Sequence, residues 1–309
     1  MAGGPAHAEV PLLRPSARRP VSSARLPMTE TWTILKVLTW TRDYLAEKGV
    51  ENARLESEWL LCEVLGLDRV GLYVNFDKPL TASELAACRA LVGRRARREP
   101  LQYLLGSQDF YGLDFEVSPG VLIPRHDTET LVQEAVNRCP ARASILDIGV
   151  GSGCIAVALA KTCPDAQVYG VDPSPKALEL AQRNADRHGV TVTLFQGSLF
   201  EPFKGLKFDL IVSNPPYIPT AELAGLQPEV RDYEPREALD GGPDGLDFYR
   251  SIIPAAPSCL EKDGWLLLEI GIGEAPEVLK IFAATGSFQE LFSACDPGAI
   301  ERVVGGRKK

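Results

Sequence analysis

From about Asp127 onward, short apolar runs alternate with helical patterns of roughly 10–15 residues. The apolar runs predict β-strands at Ser144–Ile148, Gln167–Asp172, Val190–Phe195, Phe208–Ser213 and Trp265–Ile270. Such alternation favours a parallel sheet, because each helix returns the chain to the edge where the next strand begins. The sequence therefore predicts a doubly wound, Rossmann-like α/β domain that ends in an antiparallel pair, Phe288–Ala294 and Ala299–Val304.

Two of the intervening helices have readable ends. The stretch Pro175–His188 follows Ser174, a good capping residue, and places proline at the first helical position, where its missing N–H costs nothing. A second helix is predicted over Ile155–Lys161, directly after a glycine-rich loop. Both helices therefore support the α/β interpretation.

Residues 29–108 carry helical patterns without strands between them, which predicts a small N-terminal helical domain. One predicted helix begins at Asn52 and ends at Gly66. Its apolar face is predicted to contain Leu55, Trp59 and Cys62.

A further helix is predicted from Thr81, where Thr81 and Glu84 can form a capping box, to Arg98. Its last turn is rich in arginine. The simplest interpretation is a solvated helix face, and the alternative is a docking patch for an acidic or RNA-bearing partner. The arginines concerned are Arg94, Arg95, Arg97 and Arg98.

Two flanking segments complete the predicted domain organisation. Residues 1–28 are rich in arginine, proline, alanine and serine, which predicts a disordered tail, with a targeting segment or a mis-assigned start as alternatives. Residues 109–125 predict a β-hairpin linker with Gly112 at its turn, followed by the extended stretch Val121–Arg125. The α/β domain is then residues 126–309.

The composition excludes several classes of protein. A net charge of −8 and a pI near 5.1 argue against a protein that binds DNA directly. We expect no metal site, because the chain has three histidines and its seven cysteines form no C-x-x-C pair. We also expect no membrane span, since no apolar run reaches about 18 residues.

The strand Ser144–Ile148 leads into a glycine loop at the edge where open α/β sheets bind ligands. A dinucleotide loop would need glycine where Cys154 stands, and a nucleophile elbow would need glycine at Val150. The remaining pattern, D-x-G-x-G-x-G, is typical of S-adenosylmethionine loops. The predicted cofactor-binding residues of this loop are Gly149, Val150, Gly151, Ser152 and Gly153.

Asp172 supports the same cofactor. It ends the second predicted strand, where its carboxylate can accept hydrogen bonds from both hydroxyls of a ribose. S-adenosylmethionine presents such a ribose and carries no pyrophosphate. The combination of the loop and Asp172 is more specific than the glycines alone.

The strand Phe208–Ser213 ends in Asn214-Pro215-Pro216-Tyr217, the most specific motif in the sequence. The prolines lack N–H donors, so they cannot continue the sheet and hold a rigid loop. An acceptor NH₂ group can then donate to the Asn214 side-chain oxygen and to the Pro215 carbonyl. Tyr217 can stack on the planar group that carries this NH₂.

The chemistry of an amide nitrogen explains why such a loop is needed. Its lone pair is delocalised, so it attacks only when both N–H bonds are held and the lone pair is aligned. Positioning of this kind can contribute up to roughly 7–11 kcal/mol, and no general base is needed before attack. The sequence thus predicts a methyltransferase acting on a planar nitrogen, with Asn214, Pro215 and Tyr217 as catalytic residues and Pro216 as a further substrate-binding residue.

With these loops in place, the chain resembles the protein-(glutamine-N5) methyltransferases of peptide chain release factors, the PrmC/HemK family. The resemblance covers roughly residues 29–307. Besides the two loops, it rests on motifs spread along the chain: Glu99-Pro-Leu-Gln-Tyr103, Phe110-Tyr-Gly-Leu-Asp-Phe115, Leu122-Ile-Pro-Arg125, Asp127-Thr-Glu129 and Ala238-Leu-Asp-Gly-Gly-Pro-Asp-Gly245.

The resemblance implies a function in translation termination. It implies that Leu199 and Asn214 also contact S-adenosylmethionine, and that the Asn214–Tyr217 loop holds the glutamine of a Gly-Gly-Gln loop in a class 1 release factor. It implies that the helical domain helps to dock the factor, and that Phe110 and Arg125 line the same cavity. The enzyme would be cytoplasmic and monomeric.

Three residues depart from the family pattern. His126 replaces a usual proline, Ser198 replaces a common acid near the adenine, and Glu274 replaces a usual glutamine. Two other substrates stay open, a glutamine of a ribosomal protein and an amino group of a nucleic acid, since the same loop serves all of them.

One connection has no recognisable pattern. Residues 218–246 predict a structureless stretch after the Asn214–Tyr217 loop. Long connections of this kind are usually lids or binding loops, so we expect this one to become ordered when the protein substrate binds.

Overall fold

A computed structural model describes residues 31–309, so the predicted tail at residues 1–28 lies outside the described part of the chain. Its first part is helical, as predicted. Two apolar clusters hold these helices together, one around Leu61 and one around Leu45. The helices are α1 (Ile34–Glu47), α2 (Ala53–Leu65), α3 (Arg69–Val74), α4 (Ala82–Arg95) and α5 (Leu101–Leu105).

The face of α2 differs from the prediction. Trp59 is 38% exposed, whereas Glu58 is 2% exposed. Glu58 can be buried because its carboxylate accepts hydrogen bonds from the Tyr73 hydroxyl at 2.6 Å and from Arg69 Nε at 2.7 Å. The paired carboxylate of Glu58 therefore lies on the buried face of α2, whereas Trp59, which was predicted on that face, lies at the surface.

A β-hairpin follows, formed by β1 (Ser107–Phe110) and β2 (Leu113–Glu116). Tyr111 and Gly112 form its two-residue turn with φ angles of 52° and 73°, which suits glycine at the second position. Residues 121–125 belong to no strand. The predicted hairpin is thus confirmed, and it begins two residues before the predicted linker.

The remaining chain forms an α/β domain, as predicted. A seven-stranded sheet has the strand order β5-β4-β3-β6-β7-β9-β8, in which β9 is antiparallel to both of its neighbours. Buried apolar clusters lie on both faces of the sheet. The elements are α6 (Glu129–Arg138), β3 (Ser144–Ile148), α7 (Cys154–Thr162), β4 (Gln167–Asp172), α8 (Pro175–His188), β5 (Val192–Gln196), β6 (Phe208–Ser213), α9 (Pro228–Tyr233), α10 (Asp247–Ala255), β7 (Leu260–Glu269), α11 (Ala275–Thr285), β8 (Phe288–Cys295) and β9 (Glu301–Lys308).

Residues 218–246, hereafter the strap, are ordered, and the prediction of a structureless connection is wrong. The strap contains α9 and two 3₁₀ turns. Its ends are joined by backbone hydrogen bonds, from Ile218 N to Leu239 O at 3.0 Å and from Gly241 N to Ile218 O at 2.9 Å. These bonds hold the two ends of the strap together, and a further gain of order on substrate binding stays a prediction.

Arginines at the end of α4 hold the strap to the helical domain. Arg95 Nη2 lies 2.8 Å from Glu229 Oε1, and Arg98 Nη2 lies 2.7 Å from Glu229 Oε2. The Arg95 side chain is only 5% exposed. The interpretation of these arginines as a solvated face is therefore wrong for Arg95, because its side chain is buried. The sequence pattern could not show this, since its partner in the strap is distant along the chain.

Candidate active site

A cavity of about 450 Å³ opens at the carboxyl ends of β3, β4 and β6. These strands meet where the strand order reverses direction, which is the usual ligand position in open α/β sheets. Most of the predicted cofactor residues line it, namely Gly149, Val150, Gly151, Ser152, Asp172, Leu199 and Asn214. The exception is Gly153.

The two later glycines of the loop play different structural roles. Gly151 has φ 53°, and a Cβ built there would make ordinary van der Waals contacts, 3.8 Å to Gly149 O and 4.0 Å to Val121 Cγ1, with two residues that also line the cavity. Gly153 has φ 82°, and its Cβ would lie 3.0 Å from the Ala181 Cα. Gly153 therefore allows α7 and α8 to pack closely, and the structure gives no support to a direct cofactor contact.

Asp172 lies at the edge of the cavity and is 9% exposed. Its Oδ2 accepts a hydrogen bond from Gly151 N at 3.0 Å, and its Oδ1 accepts one from Ser174 N at 2.9 Å. Burial raises the pKa of this carboxyl, and the two backbone donors partly offset the effect. Both oxygens keep a further lone pair, so hydrogen bonds to a ribose stay a prediction that the geometry permits.

The end of β6 places the Asn214 loop. The Ser213 hydroxyl donates to Ile148 O at 2.7 Å, which ties the ends of β6 and β3 together. Pro215 and Pro216 line the cavity with Asn214. Asn214 Nδ2 donates to the Thr128 hydroxyl at 3.1 Å, which leaves the Asn214 side-chain oxygen for another donor.

The sequence interpretation missed two buried polar residues, Thr128, which accepts the hydrogen bond from Asn214, and Glu269. Each is 1% exposed. Burial raises the pKa of Glu269 to about 7, although a hydrogen bond from the Thr128 side chain acts in the opposite direction. The available signals were the Asp127-Thr-Glu129 motif and an acid at the end of an apolar strand.

Tyr217 does not line the cavity. Its side chain packs against the apolar cluster on one face of the sheet, and burial raises its pKa to about 12. Its backbone is braced by glycines of the strap, since a Cβ at Gly241 would lie 2.8 Å from the Tyr217 Cα and one at Gly245 would overlap the Tyr217 carbonyl. Stacking of Tyr217 on the acceptor stays a prediction.

The two other predicted cavity residues have different outcomes. Phe110 is 1% exposed and packs edge-on against Phe115 in the core, so the prediction that it lines the cavity is wrong. Arg125 does line the cavity, and its guanidinium is paired with Glu234 of the strap. The Glu234 carboxylate also accepts a hydrogen bond from Ile123 N at 3.2 Å.

The three departures from the family pattern fit locally. His126 is exposed and lies 3.0 Å from Glu129. Ser198 lines the cavity. Glu274 accepts hydrogen bonds from Gly271 N at 2.8 Å and from the Tyr249 hydroxyl at 3.2 Å.

Comparisons with known proteins agree with this arrangement. A PrmC N-terminal domain model matches residues 36–106, and a methyltransferase small domain model matches residues 125–224. The chain is 71% identical to the release factor glutamine methyltransferase of Geobacter sulfurreducens, over 90% of this chain and 98% of the relative. It is 44% identical to that of Chlorobaculum tepidum, with the same two coverages.

The chain belongs to the release factor glutamine methyltransferases. The resemblance inferred from the motifs is thereby confirmed, and S-adenosylmethionine is the methyl donor. The cavity fits this cofactor, because the Asp172 carboxylate lies beside the glycine loop and Gly151 lines the cavity without a side chain. Among residues 31–309, no helix is long and apolar enough to cross a membrane.

Proposed function

We propose that this chain methylates the side-chain amide nitrogen of the glutamine in the Gly-Gly-Gln loop of a class 1 peptide chain release factor. The observation that carries the proposal is the orientation of Asn214, whose Nδ2 is bound to Thr128 so that its oxygen is left for an N–H donor. Family membership supports the substrate class. The proposal includes a cytoplasmic, monomeric enzyme that does not act on DNA.

The residues of the chain would act mainly by positioning. Gly151 and Asp172 would hold the cofactor, which supplies a methyl group on positively charged sulfur when bound. Asn214 Oδ1 and the Pro215 carbonyl would accept hydrogen bonds from the two N–H groups of the acceptor amide. These bonds would direct the nitrogen lone pair towards the methyl group. Alignment of this kind replaces a general base before attack.

The strap and the helical domain would dock the release factor. The strap borders the cavity through Pro235 and Glu237 and is joined to the helical domain through Glu229. A protein substrate that contacts the helical domain could therefore present a loop at the cavity entrance without either part moving.

Methylation of a release factor by the wild-type chain and by Asn214→Ala tests the proposal. We expect the wild type to add one methyl group to the Gly-Gly-Gln glutamine, measured by peptide mass spectrometry. Asn214→Ala should bind the cofactor but turn over orders of magnitude more slowly, because the lost hydrogen bond acts in the transition state.

A release factor with that glutamine changed to alanine is the matched control and should accept no label. Label on a ribosomal protein or a nucleic acid in place of the release factor would overturn the substrate assignment.

A further inference from the structure

We propose that Arg302 is a positioning residue for the methyl transfer, and that it acts through its ion pair with Asp127. The inference rests on the proposed function, in which Asn214 holds the acceptor amide. Arg302 is the second residue of β9, and Asp127 lies in the three-residue 3₁₀ turn His126–Thr128, which precedes α6. Neither residue lines the cavity. Arg302 would therefore affect the reaction from outside the cavity, through this turn.

The turn reaches the catalytic loop through Thr128. The buried Thr128 hydroxyl accepts the hydrogen bond from Asn214 Nδ2 at 3.1 Å. A displacement of about 0.5 Å would take the two atoms beyond hydrogen-bond distance. The Asn214 amide would then lose the contact that keeps its oxygen available to the acceptor. The orientation of Asn214 therefore depends on where the turn places Thr128.

The turn is too short to fix its own position. Its internal hydrogen bonds join Thr128 N to Arg125 O at 3.1 Å, and the Glu129 N–H to two carbonyls of the turn. Such 3₁₀ bonds have poorer geometry than α-helical ones. Contacts with other elements must therefore hold the turn. Glu129 provides one of them, since its carboxylate accepts a hydrogen bond from Tyr111 N of the hairpin at 3.0 Å.

The contact with Arg302 ties the turn to the sheet that carries Asn214. Arg302 Nη2 lies 2.7 Å from Asp127 Oδ2. The Arg302 carbonyl accepts a hydrogen bond at 2.9 Å from Ile270 N, directly after β7. β7 also pairs with β6, which leads into Asn214. The turn is therefore attached to one sheet at two points, Asp127 at β9 and Thr128 after β6, and two attachments restrict its rotation where one would not.

The guanidinium of Arg302 is ordered independently of Asp127. Arg302 Nε donates to Asp296 Oδ2 at 3.0 Å, and the other oxygen of Asp296 accepts a hydrogen bond from Ile300 N at 3.0 Å. The Asp296 side chain is 8% exposed, whereas that of Asp127 is 49% exposed. An ion pair with so exposed a carboxylate adds little to stability. Removal of the Asp127 carboxylate should therefore change the position of the turn more than the stability of the protein.

β9 also contains a matched control for Arg302. Arg307, near the other end of the same strand, likewise joins two carboxylates, that of Asp263 at 2.7 Å and that of Glu290. None of these three residues lines the cavity. Loss of Arg307 therefore removes a comparable set of ion pairs from β9 and leaves the contacts of the turn in place.

The test uses the full chain, S-adenosylmethionine and a release factor. Asp127→Ala should lower kcat by at least about fivefold, because small displacements of a positioning group have large effects on rate. KM for the release factor and cofactor affinity, measured by calorimetry, should change by less than about twofold. Arg302→Gln should lower kcat at least as much. Arg307→Gln should keep kcat within about twofold of the wild type.

A double-mutant cycle decides whether the effect passes through Thr128. Thr128→Val removes the hydroxyl, keeps the shape and should lower kcat by itself. In the Thr128→Val background, Asp127→Ala should change kcat by less than about twofold, because the connection is already lost. Should Thr128→Val fail to fold, the comparison of Asp127→Ala with Arg307→Gln decides.

The inference is overturned if Asp127→Ala keeps wild-type kcat, if Arg307→Gln is equally slow, or if the effects of the Asp127 and Thr128 substitutions on kcat multiply. A wild-type chain that is inactive on the release factor would instead overturn the proposed function.

Discussion

Two neighbouring glycines show how one motif combines two physical requirements. Gly151 and Gly153 both have positive φ angles, at which any other residue would be strained. Only Gly151 borders the cavity, and only Gly153 touches α8. The D-x-G-x-G-x-G pattern therefore places one glycine at the cavity and another where two helices pack closely.

We expect alanine to separate these roles. Either substitution adds backbone strain of about 1–2 kcal/mol. Gly151→Ala should weaken S-adenosylmethionine binding by at least about tenfold, since the new methyl group would lie against Gly149 and Val121, which line the cavity. Gly153→Ala should mainly lower stability, by about 1–3 kcal/mol beyond the strain, because it overlaps Ala181.

Calorimetry and urea unfolding measure the two effects on the same pair of variants. Both variants carry similar backbone strain, so each variant is the control for the other. A Gly153→Ala variant that unfolds no earlier than Gly151→Ala would contradict the packing role.

At the scale of secondary-structure elements, the bounds were predicted best where the apolar pattern of the sequence matches the burial of the residues. The apolar runs Ser144–Ile148, Gln167–Asp172 and Phe208–Ser213 are strands with those bounds, and Pro175–His188 is a helix with those bounds. All three strands lie in the interior of the sheet. Burial on both faces of the sheet favours apolar residues at successive positions, and this made the three strands recognisable.

Elements whose position depends on distant partners were predicted poorly. The strand predicted from Trp265 begins at Leu260, because Leu260 pairs with Phe208 of β6 before an irregularity in the register. The burial of Arg95 could not be predicted, since Glu229 lies 134 residues away. The Thr128–Asn214 contact, 86 residues apart in sequence, was missed for the same reason.

The strap gives a prediction at this scale. Burial alone would raise the pKa of Glu229, yet hydrogen bonds from Arg98 and Arg95 hold it below the usual value. Glu229→Ala should lower stability by about 1.5–3 kcal/mol, because the buried Arg95 loses one carboxylate partner and keeps the other, Glu56. Amide hydrogen exchange in α9 should accelerate at the same time.

Asp232→Ala is the control within the same helix. Asp232 is 48% exposed and pairs with its neighbour Arg231, and pairs of this kind contribute about 0–1 kcal/mol. Equal exchange rates in the Glu229→Ala and Asp232→Ala variants would show that Glu229 does not anchor the strap.

At the scale of the whole molecule, the buried acids Asp147 in β3 and Glu269 in β7 affect how stability depends on pH. Burial raises the pKa of Asp147 to about 8 and that of Glu269 to about 7. In the unfolded chain both groups titrate near pH 4. The folded protein therefore holds protons that the unfolded chain has already released, and its stability should decrease as the pH rises from about 5 to about 8.

Thermal unfolding of the cofactor-free protein measures this decrease. Each unit of pKa difference corresponds to about 1.4 kcal/mol, so Asp147→Asn should flatten the profile clearly. Glu63→Gln, at an exposed position of α2, should leave it unchanged. A melting temperature that rises between pH 5.5 and 8 would contradict the prediction.

The ion pairs between α4 and the strap also affect how a shortened chain would behave. Removing the helical domain would take away Arg95 and Arg98 together, leaving Glu229 without either guanidinium. The Tyr233 hydroxyl would lose its acceptor, the Arg97 carbonyl, in the same cut. An inactive fragment would therefore not show that the helical domain recognises the release factor, because the cut also disturbs the strap, whose glycines pack against Tyr217.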